Sequence, residues 1–402
     1  MQKKRICAGL LALLLLLAAA LLPGCVSLRL FFPEEETTAD AWAPDPKDPE
    51  APAGAYTYAD FDPTQAGRFA EIADSYGAVA AQVAVLEGAQ IKTWCRGKAD
   101  RAAGREVTND TRYRVASLSK LVVAMTFMAA EERGLVSDAA DVSDYFGETC
   151  RSPYYPDAVI TPAMLLTHTA GLDDADYFSY RSGLLSREGI FLFTEPGASY
   201  YYSNVGYGVL SCLLERAAEK PFNTLAKEYL FAPLGIDASF IYDALDDASD
   251  IGALYGEDGG LTEYELAAMR GNGFKTDLSL ACGNLIISAK DYVKLLGVMM
   301  HSGFNVDGKR ILSAESVNAM LLERFTEEHF GVAYGSQIQT NVVEGRTLYV
   351  HTGSAYGMYA AFAFDPAAQK AAVVLSVGEP RYMDPESEVY YLCQDVLREI
   401  WK

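Results

Sequence analysis

The sequence predicts an α+β fold in which both ends of the chain build one antiparallel sheet, flanked by helices, with a mainly helical region inserted between them. Apolar runs typical of strands occur at Ala78–Leu86 and Ile91–Cys95 and again after residue 330. Apolar residues at helical spacing dominate the middle of the chain, from Leu118 to about Lys220. This arrangement of patterns favours a sheet that both termini share.

The N-terminal part of the folded region is predicted as a helix followed by a β-hairpin. Asp62 and Pro63 suit a helix start, the first as a cap and the second in the first turn, and a helical pattern follows over Thr64–Tyr76. The two apolar runs after it flank the turn-forming segment Glu87-Gly88-Ala89-Gln90, which joins them as a hairpin.

The later elements are predicted from the same periodicities. Helices are predicted at Leu121–Arg133, Thr161–His168, Val205–Ala218, Ser288–His301, Ser313–Leu321 and Glu386–Trp401. Strands are predicted at Gly331–Ile338, Thr347–His351, Met358–Phe364 and Ala371–Val377. Between residues 243 and 280 the chain is acidic and Gly-rich, which predicts a surface excursion. This excursion either forms part of the rim of a substrate-binding site or is an exposed insertion without a role in binding.

The composition describes an acidic globular protein. The chain has 402 residues, enough for a substantial core in one large domain or two intertwined ones, and 50% of them are hydrophobic. Its formal net charge is −21, with a sequence pI near 4.6. Because binding to nucleic acid depends on clustered lysine and arginine, we exclude nucleic acid as a partner.

Residues 1–25 are predicted as an export signal. The basic segment Lys3-Lys4-Arg5 precedes an unbroken apolar block, Ala8–Leu22, as in signal peptides. The block is shorter than the about 20 residues of a spanning helix. A small residue and then Cys25 end the block, which resembles the bacterial lipoprotein signal, so we expect lipidation of Cys25. The alternative is an uncleaved signal anchor. Either reading puts the folded body outside the cytoplasmic membrane.

Residues 26–61 are predicted as an acidic, Pro-rich tether. From Phe32 to about Asp62 the composition shifts to Pro, Glu, Asp, Ala and Thr with little periodicity, which is typical of an extended, self-repelling linker. The tether would hold the folded domain, residues 62–402, off the membrane. Within that domain we assign the sheet to about 62–116 and 325–402, and the helical part to about 117–324.

The cysteines and histidines do not predict a metal site or a cofactor. Two of the seven cysteines lie in the signal, and no Cys-x-x-Cys spacing occurs among the others, which argues against zinc and redox motifs. We expect buried free thiols, although an exported chain could form a disulfide. Four histidines without His-x-His or His-Glu-x-x-His spacing make a metal mechanism improbable. The five cysteines of the folded part are Cys95, Cys150, Cys212, Cys282 and Cys393.

A serine and a lysine three residues apart are the strongest chemical feature of the chain. Ser117 and Lys120 follow a strand-like run, Thr111–Val115, and precede a long apolar stretch, so both lie at a predicted helix start. Side chains at this spacing have Cβ atoms about 5–6 Å apart, so the amine can reach the hydroxyl. Free N–H groups and the helix dipole would also face an oxyanion there. This arrangement suits acyl transfer, although a capped, solvated helix start remains an alternative.

Two further motifs complete a recognisable set. With Ser-x-x-Lys, then Tyr202-Ser203-Asn204, then His351-Thr352-Gly353, the chain resembles the penicillin-recognising serine hydrolases, in the branch of class C β-lactamases and D-alanyl-D-alanine carboxypeptidases. The resemblance spans about residues 62–400 and implies a β-lactamase/transpeptidase-like fold. Further phrases that support it are Leu165-Leu166-Thr167-His168-Thr169-Ala170-Gly171-Leu172, Pro196-Gly197, Pro233-Leu234-Gly235 and Gly283-Asn284-Leu285.

The resemblance implies a role for each catalytic residue. Ser117 would be the nucleophile, Lys120 its basic partner, and Tyr202 the phenol that shuttles a proton to the leaving nitrogen. A tyrosine base needs a pKa below its usual value of about 10, and the Lys120 ammonium is the expected cause of such a decrease. His168 also lies in a family phrase, but we expect it to be a structural residue at a helix end.

The resemblance also implies a binding surface. Asn204 would donate to the substrate's acyl-amide carbonyl and help to hold Lys120. His351 and Thr352 would line the opposite strand, and Gly353 would let substrate lie flat on it. The N–H groups of Ser117 and Ser354 would form the oxyanion hole.

One departure from the family pattern bears on the substrate. Most β-lactamases begin the last motif with lysine, a permanent cation for a substrate carboxylate, whereas His351 is charged only partly near neutral pH. In the family that the chain resembles, the histidine form occurs in some carboxypeptidases and in many peptidase- or esterase-like relatives, which weakens the β-lactamase interpretation. The resemblance implies a serine hydrolase of amide or ester bonds that acts on peptidoglycan stem peptides ending in D-alanine, with β-lactams as mimics. We also expect a monomer and no cofactor. The alternatives are a class C-like β-lactamase, an esterase and a non-catalytic penicillin-recognising protein.

Overall fold

The protein is described here by a computed structural model that covers residues 54–402, except 175–178, 246, 257, 259, 261–272, 328–329 and 344. The predicted signal and most of the predicted tether lie outside the described residues. None of the described helices is long and apolar enough to cross a bilayer.

The strands are short at the edges of the fold and long at its centre. In chain order they are β1 (Thr57–Asp60), β2 (Ala80–Glu87), β3 (Gln90–Asp100), β4 (Arg105–Glu106), β5 (Tyr113–Arg114), β6 (Ile286–Ile287), β7 (Phe325–Thr326), β8 (Gly331–Ala333), β9 (Ser336–Gln339), β10 (Leu348–Ala355), β11 (Met358–Asp365) and β12 (Lys370–Val377).

In chain order, most helices lie between the N-terminal strands β1–β5 and the C-terminal strands β7–β12. They are α1 (Pro63–Tyr76), α2 (Ser119–Glu131), α3 (Val142–Phe146), α4 (Pro162–Leu166), α5 (Asn204–Ala218), α6 (Phe222–Ala226), α7 (Ala232–Leu234), α8 (Leu280–Gly283), α9 (Ala289–Met300), α10 (Ala314–Leu321) and α11 (Tyr391–Trp401). Short 3-10 turns occur at Ala116–Leu118, Leu184–Ser186 and Tyr242–Ala244, and a π-helical turn at Lys227–Phe231.

Both ends of the chain contribute to one large sheet, as the sequence predicts. Its strand order is β1-β3-β2-β12-β11-β10-β9-β8-β7, with β4 paired to β3. The two ends meet where β12 pairs antiparallel with β2, from Lys370 opposite Glu87 to Val377 opposite Ala80. Strand β1 pairs with β3 in the parallel sense. The predicted α+β fold class, a large sheet flanked by helices, is confirmed.

Hydrophobic cores lie on both faces of the sheet. Helices α1 and α11 cover one face, where Phe69, Val374 and Val396 belong to one buried cluster. The larger cluster joins the other face to the helical part of the chain. Helix α9, predicted within the inserted helical part, packs against β2 and β12 of the sheet instead. Helix α9 lies close to the sheet at Gly297, where a Cβ would be 2.9 Å from the Leu86 side chain.

Among the boundaries that differ from the prediction, three have clear physical reasons. Strand β1 lies within the predicted tether, because its backbone pairs with β3 and needs no apolar pattern. The predicted strand Gly331–Ile338 is two strands, β8 and β9, separated by a turn with Gly335 at φ +73°. Helix α11 begins later than predicted, because Glu388 has a left-handed φ of +54° and Tyr390 pairs with Met383.

The described ends of the 243–280 excursion are anchored to the strands that lead to Ser117. Asp250 accepts hydrogen bonds from Arg105 and Thr111, and the Tyr255 hydroxyl accepts one from the Arg101 backbone. A Cβ at Gly357 would lie 1.8 Å from the Tyr255 carbonyl oxygen, so only glycine fits beside this segment. The excursion therefore includes packed segments as well as surface.

The five cysteines of the folded part are free thiols. Three of them are buried, as predicted, whereas Cys95 and Cys282 are only half-buried.

Candidate active site

Ser117 lies in a tight turn between β5 and α2. The turn is a 3-10 segment, Ala116–Leu118, and α2 begins two residues after the serine. Ala116 has φ +48°, an uncommon conformation for a residue other than glycine, and it fixes the path of the chain immediately before the serine. The Ser117 side chain therefore faces the cleft from the entry of the helix, close to the position that the sequence predicts.

Lys120 lies one helical turn further on and is fully buried, with 0% exposure. Its Nζ donates to Ser117 Oγ at 3.0 Å, to Asn204 Oδ1 at 2.8 Å and to the Cys282 carbonyl oxygen at 2.8 Å. All three ammonium donors thus have acceptors. Burial lowers the pKa of Lys120 from 10.5 to about 8, so near neutral pH a minor fraction of the amine is unprotonated and this fraction grows as the pH rises.

Tyr202 completes the set of groups around the serine. Its hydroxyl donates to Ser117 Oγ at 2.7 Å, and its ring stacks on His168 with centroids 4.5 Å apart. The expectation that Lys120 lowers the pKa of this phenol is wrong: burial raises that pKa well above 10, and the hydrogen bond with Ser117 offsets the increase only in part. Tyr202 is therefore a neutral hydrogen-bond donor in this structure.

His351 faces the same site from β10 and is a neutral imidazole. Its side chain is 6% exposed, and burial, assisted by the Lys120 charge, lowers its pKa to about 3. The expectation of a partly charged histidine is therefore wrong, because the desolvation of the imidazolium is not offset by a nearby carboxylate. His351 cannot provide a positive charge for a substrate near neutral pH.

The rest of the β10 motif packs against the turn that carries Ser117 and lines the cleft. A Cβ at Gly353 would lie 2.5 Å from the Val115 carbonyl oxygen and 3.2 Å from the Ser117 backbone nitrogen. The glycine thus permits close approach of the strand to the turn, a role in addition to the predicted one of accommodating substrate. Thr352 and Ser354 both line the cleft beside Ser117. On the β9 side, the pairing of β10 runs from Leu348 to Val350, and among the described residues no strand continues it along the motif.

A cleft of about 460 Å³ opens above these residues. Part of its wall is the segment between β12 and α11, which the sequence analysis did not assign to the site. This segment is turn-rich and carries no motif, so only the tertiary structure reveals its position. The lining consists of Ser117, Tyr200, Tyr202, Asn204, Gln337, His351, Thr352, Ser354, Arg381, Met383, Glu388 and Tyr390.

Two residues outside the predicted site support it from behind. His168 accepts a hydrogen bond from the Ser203 backbone at its Nδ1 (3.0 Å) and has a left-handed φ of +57°. It is structural, as predicted, and it also packs on the Tyr202 ring. Asp174, which the sequence analysis missed, accepts from Asn204 Nδ2 at 2.7 Å. A lone aspartate in a loop gives no sequence signal for this contact.

The comparison with protein-family models identifies the family. The model described as Beta-lactamase matches residues 66–392. The chain belongs to the β-lactamase family. The recognition made from the three motifs is therefore confirmed, and members of this family are generally serine hydrolases.

Curated relatives of this β-lactamase-family protein are named for several different activities. A penicillin-binding protein of Bacillus subtilis is 27% identical over 160 residues, which cover 37% of this chain and 34% of the relative. Esterase EstB of Burkholderia gladioli is 28% identical, with 41% and 47% covered. The D-alanyl-D-alanine-carboxypeptidase/endopeptidase AmpH of Escherichia coli K12 is 28% identical, with 32% and 36% covered. The alignments span less than half of each of these relatives.

Solved structures share the fold over most of the chain. A penicillin-binding protein homologue from Pyrococcus abyssi, described as octameric, superposes with a TM-score of 0.68 at 19% identity, covering 85% of this chain and 78% of that one. A class C β-lactamase superposes with a TM-score of 0.68 at 17% identity, covering 83% and 94%. At these identities the likeness establishes the β-lactamase fold.

Proposed function

We propose that this protein is a serine hydrolase that forms an acyl-enzyme at Ser117 on an amide or ester bond. The observation that supports this most directly is the position of Ser117 Oγ, 3.0 Å from the Lys120 amine and 2.7 Å from the Tyr202 hydroxyl, at an open cleft. A weak nucleophile beside a base and a proton donor is the arrangement that acyl transfer requires.

Acylation would begin from the neutral form of Lys120. The amine accepts the proton of Ser117 as Oγ forms a bond to the substrate carbonyl carbon. Because burial raises the pKa of Tyr202, this phenol acts first as an acid, giving its proton to the leaving nitrogen or oxygen as the substrate bond breaks. The proton held by Lys120 then restores the phenol. Water would release the acyl group by the reverse sequence.

The cleft suits a substrate with a carboxylate, but His351 is not its counter-ion. With His351 neutral, the cation that lines the cleft is Arg381, on the wall between β12 and α11. Its guanidinium can bind a carboxylate through two parallel N–H donors. We propose that Arg381 receives the terminal carboxylate of a cell-wall peptide ending in D-alanine. The name of the relative AmpH is consistent with this carboxypeptidase activity.

Esterase activity is the second candidate. The permanent cation expected from a lysine in the last motif is absent from that position, and the aromatic side chains of Tyr200, Tyr202 and Tyr390 line the cleft. Such a surface also accepts uncharged esters, in agreement with the name of the relative EstB. A β-lactamase and a binding protein that acylates slowly remain further candidates.

We propose that a lipid on Cys25 anchors the protein to the outer face of the cytoplasmic membrane and that the hydrolase acts as a monomer. Globomycin-sensitive processing in the native host, together with the mass of the detergent-extracted protein, would test both.

Three substrates offered to the same preparation separate the candidates. Release of D-alanine from a stem pentapeptide supports the carboxypeptidase, hydrolysis of a p-nitrophenyl ester alone supports the esterase, and turnover of nitrocefin supports the β-lactamase. Ser117→Ala should abolish each of these activities while the circular dichroism spectrum stays unchanged. If the protein is not labelled by a fluorescent fluorophosphonate and hydrolyses none of the three substrates, the acyl-enzyme proposal is wrong.

A further inference from the structure

Asp174 forms a carboxylate support behind the catalytic residues. Its Oδ2 accepts from Asn204 Nδ2 at 2.7 Å, and its Oδ1 accepts from Ser203 Oγ at 3.1 Å and from the Val205 backbone at 3.0 Å. On the other side of Asn204, Oδ1 accepts from Lys120 Nζ at 2.8 Å. The Asn204 amide thus links a carboxylate to the buried amine.

The orientation of this amide decides what Lys120 can do. While Lys120 is an ammonium it can only donate, so it requires the oxygen of Asn204 to face it. When Lys120 is neutral its nitrogen has a lone pair, and an Asn204 amide turned by 180° could donate an N–H to that lone pair. The lone pair would then be unavailable to the Ser117 hydroxyl. Asp174 opposes this turn, because an ionised carboxylate accepts hydrogen bonds and cannot donate to the amide oxygen.

We propose that Asp174 is a positioning residue that holds the Asn204 oxygen towards Lys120, so that the lone pair of the neutral amine stays directed at Ser117. This inference rests on the proposed acyl-enzyme function and adds a residue to it. Asp174 acts through Asn204 and contacts none of the reacting atoms in the structure.

A purely structural role is the competing explanation. Asp174 accepts the Val205 N–H in the first turn of α5, which is also a capping contact. Asp141 offers a control away from the cleft, because its carboxylate caps α3 through the Ser143 N–H (2.8 Å), binds the Arg151 guanidinium and does not line the cleft. A loss of activity caused only by reduced overall stability would occur in Asp141→Asn as well, and the pH signature described next separates a local capping effect at α5.

The environment of Lys120 predicts a signature for Asp174→Asn. The ionisable groups around the amine are Cys282 on α8, Asp174, Arg114 on β5, and the neutral His168, His351, Tyr202 and Tyr207. Asp174 is the carboxylate of this set, and its negative charge favours the ammonium. Removing that charge therefore moves the titration of Lys120 to lower pH. A change in capping has no such effect.

The test compares the full-length wild type with Asp174→Asn, Asp174→Glu and Asp141→Asn. Fluorophosphonate acylation is followed from pH 6 to 10, and the Lys120 amine is titrated by NMR in protein labelled with 13C-lysine. We expect Asp174→Asn to slow acylation on the order of 10-fold, which is a part of the effect typical of a general base. The low-pH limb of its rate profile and the NMR titration of Lys120 should both move to lower pH. Asp174→Glu should recover part of the rate, and Asp141→Asn should acylate like the wild type.

Two results would overturn the inference. One is an Asp174→Asn variant that acylates at the wild-type rate. The other is a slower variant whose acid limb and NMR titration have not moved, since that pattern identifies a capping role. A wild type that does not acylate at all contradicts the proposed function itself, whereas failure of the Asp174 prediction in an active wild type contradicts this inference alone.

Discussion

At the scale of single residues, the environment of Lys120 determines the chemistry of the site. The amine is fully buried, hydrogen-bonded to three acceptors and 3.0 Å from the nucleophile. Desolvation disfavours the charge of Lys120 more than the nearby Cys282 and Asp174 favour it, so its pKa falls to about 8. The Tyr202 phenol, by contrast, stays protonated. In the proposed mechanism the base and the acid of the first step are therefore different residues.

The first prediction follows from the protonation of Lys120. Because only the neutral amine accepts the Ser117 proton, the acylation rate should rise with pH and reach half of its maximum near pH 8. Lys120→Met should lower the rate by about 100-fold or more at every pH, with the fold intact. Fluorophosphonate labelling measures both effects, and Lys220→Met, at a half-exposed lysine on the surface, is the control. Wild-type acylation rates in Lys120→Met would contradict the assigned role.

The second prediction concerns Arg381. Arg381→Met keeps most of the side-chain length but removes the charge, so the KM for a stem pentapeptide should rise about 10-fold or more, the loss expected for a hydrogen bond to a charged group. The KM for an uncharged p-nitrophenyl ester should change little, which makes the ester the internal control. If both KM values rise equally, Arg381 shapes the cleft and does not select carboxylates.

Sequence reasoning predicts the motif residues and misses the electrostatics around them. Ser117, Lys120, Tyr202 and Asn204 converge as their motifs predict, because short motifs keep local geometry. The neutral state of His351 could not be predicted, since it depends on burial by segments that are distant in sequence. Contacts such as those of Asp174 come from loops, where no periodicity indicates direction.

At the scale of elements, the contact between β10 and the Ser117 turn sets the width of the site. The strand lies so close to the turn that only glycine fits at position 353. Strand β10 is in turn held by β11, in a register that places His351 opposite Phe362 and Gly353 opposite Ala360. Elements with a strong apolar pattern, such as α2, α5 and β12, lie within a few residues of their predicted bounds. The weakly patterned β1 and the start of α11 do not, because backbone pairing and a left-handed residue determine them.

The third prediction tests that contact. In Gly353→Ala the new Cβ would lie 2.5 Å from the Val115 carbonyl oxygen, so the strand or the turn must shift. We expect a loss of stability of about 1–3 kcal/mol, as for other overpacked sites, and a larger proportional loss of acylation. Urea denaturation and fluorophosphonate labelling measure the two.

Gly67→Ala is the matched control for that substitution. No heavy atom lies within 4 Å of a Cβ at Gly67, which is in the interior of α1, so alanine there should raise stability by up to about 1 kcal/mol and leave acylation unchanged. A Gly353→Ala variant with wild-type stability and acylation would show that the contact is not as tight as the structure indicates.

At the scale of the whole molecule, the shared sheet links the chain ends to the cleft. The N-terminal hairpin pairs with β12, which leads directly into the cleft wall that carries Arg381. Where β12 ends, Glu379 is buried with 3% exposure. Burial raises the pKa of its carboxyl to about 7, and the nearby Ser376 hydroxyl offsets this only in part. A buried group of this kind makes the stability of the whole fold depend on pH.

The last prediction follows from the direction of that change. The folded-state pKa of Glu379 lies above its unfolded value of 4.5, so the folded protein binds the proton more tightly. The stabilisation is complete below pH 4.5 and is lost as pH rises through 7, a change on the order of 3 kcal/mol. Glu379→Gln removes the ionisation, so its Tm should exceed that of the wild type at pH 8.5 and approach it at pH 5. Glu315→Gln, at an exposed glutamate, should leave the pH dependence as it is in the wild type. If the Tm of Glu379→Gln follows the wild-type curve from pH 5 to 8.5, the prediction is wrong. The ionised Glu379 carboxylate would then be stabilised in the folded protein by a hydrogen-bond donor, a cation or water.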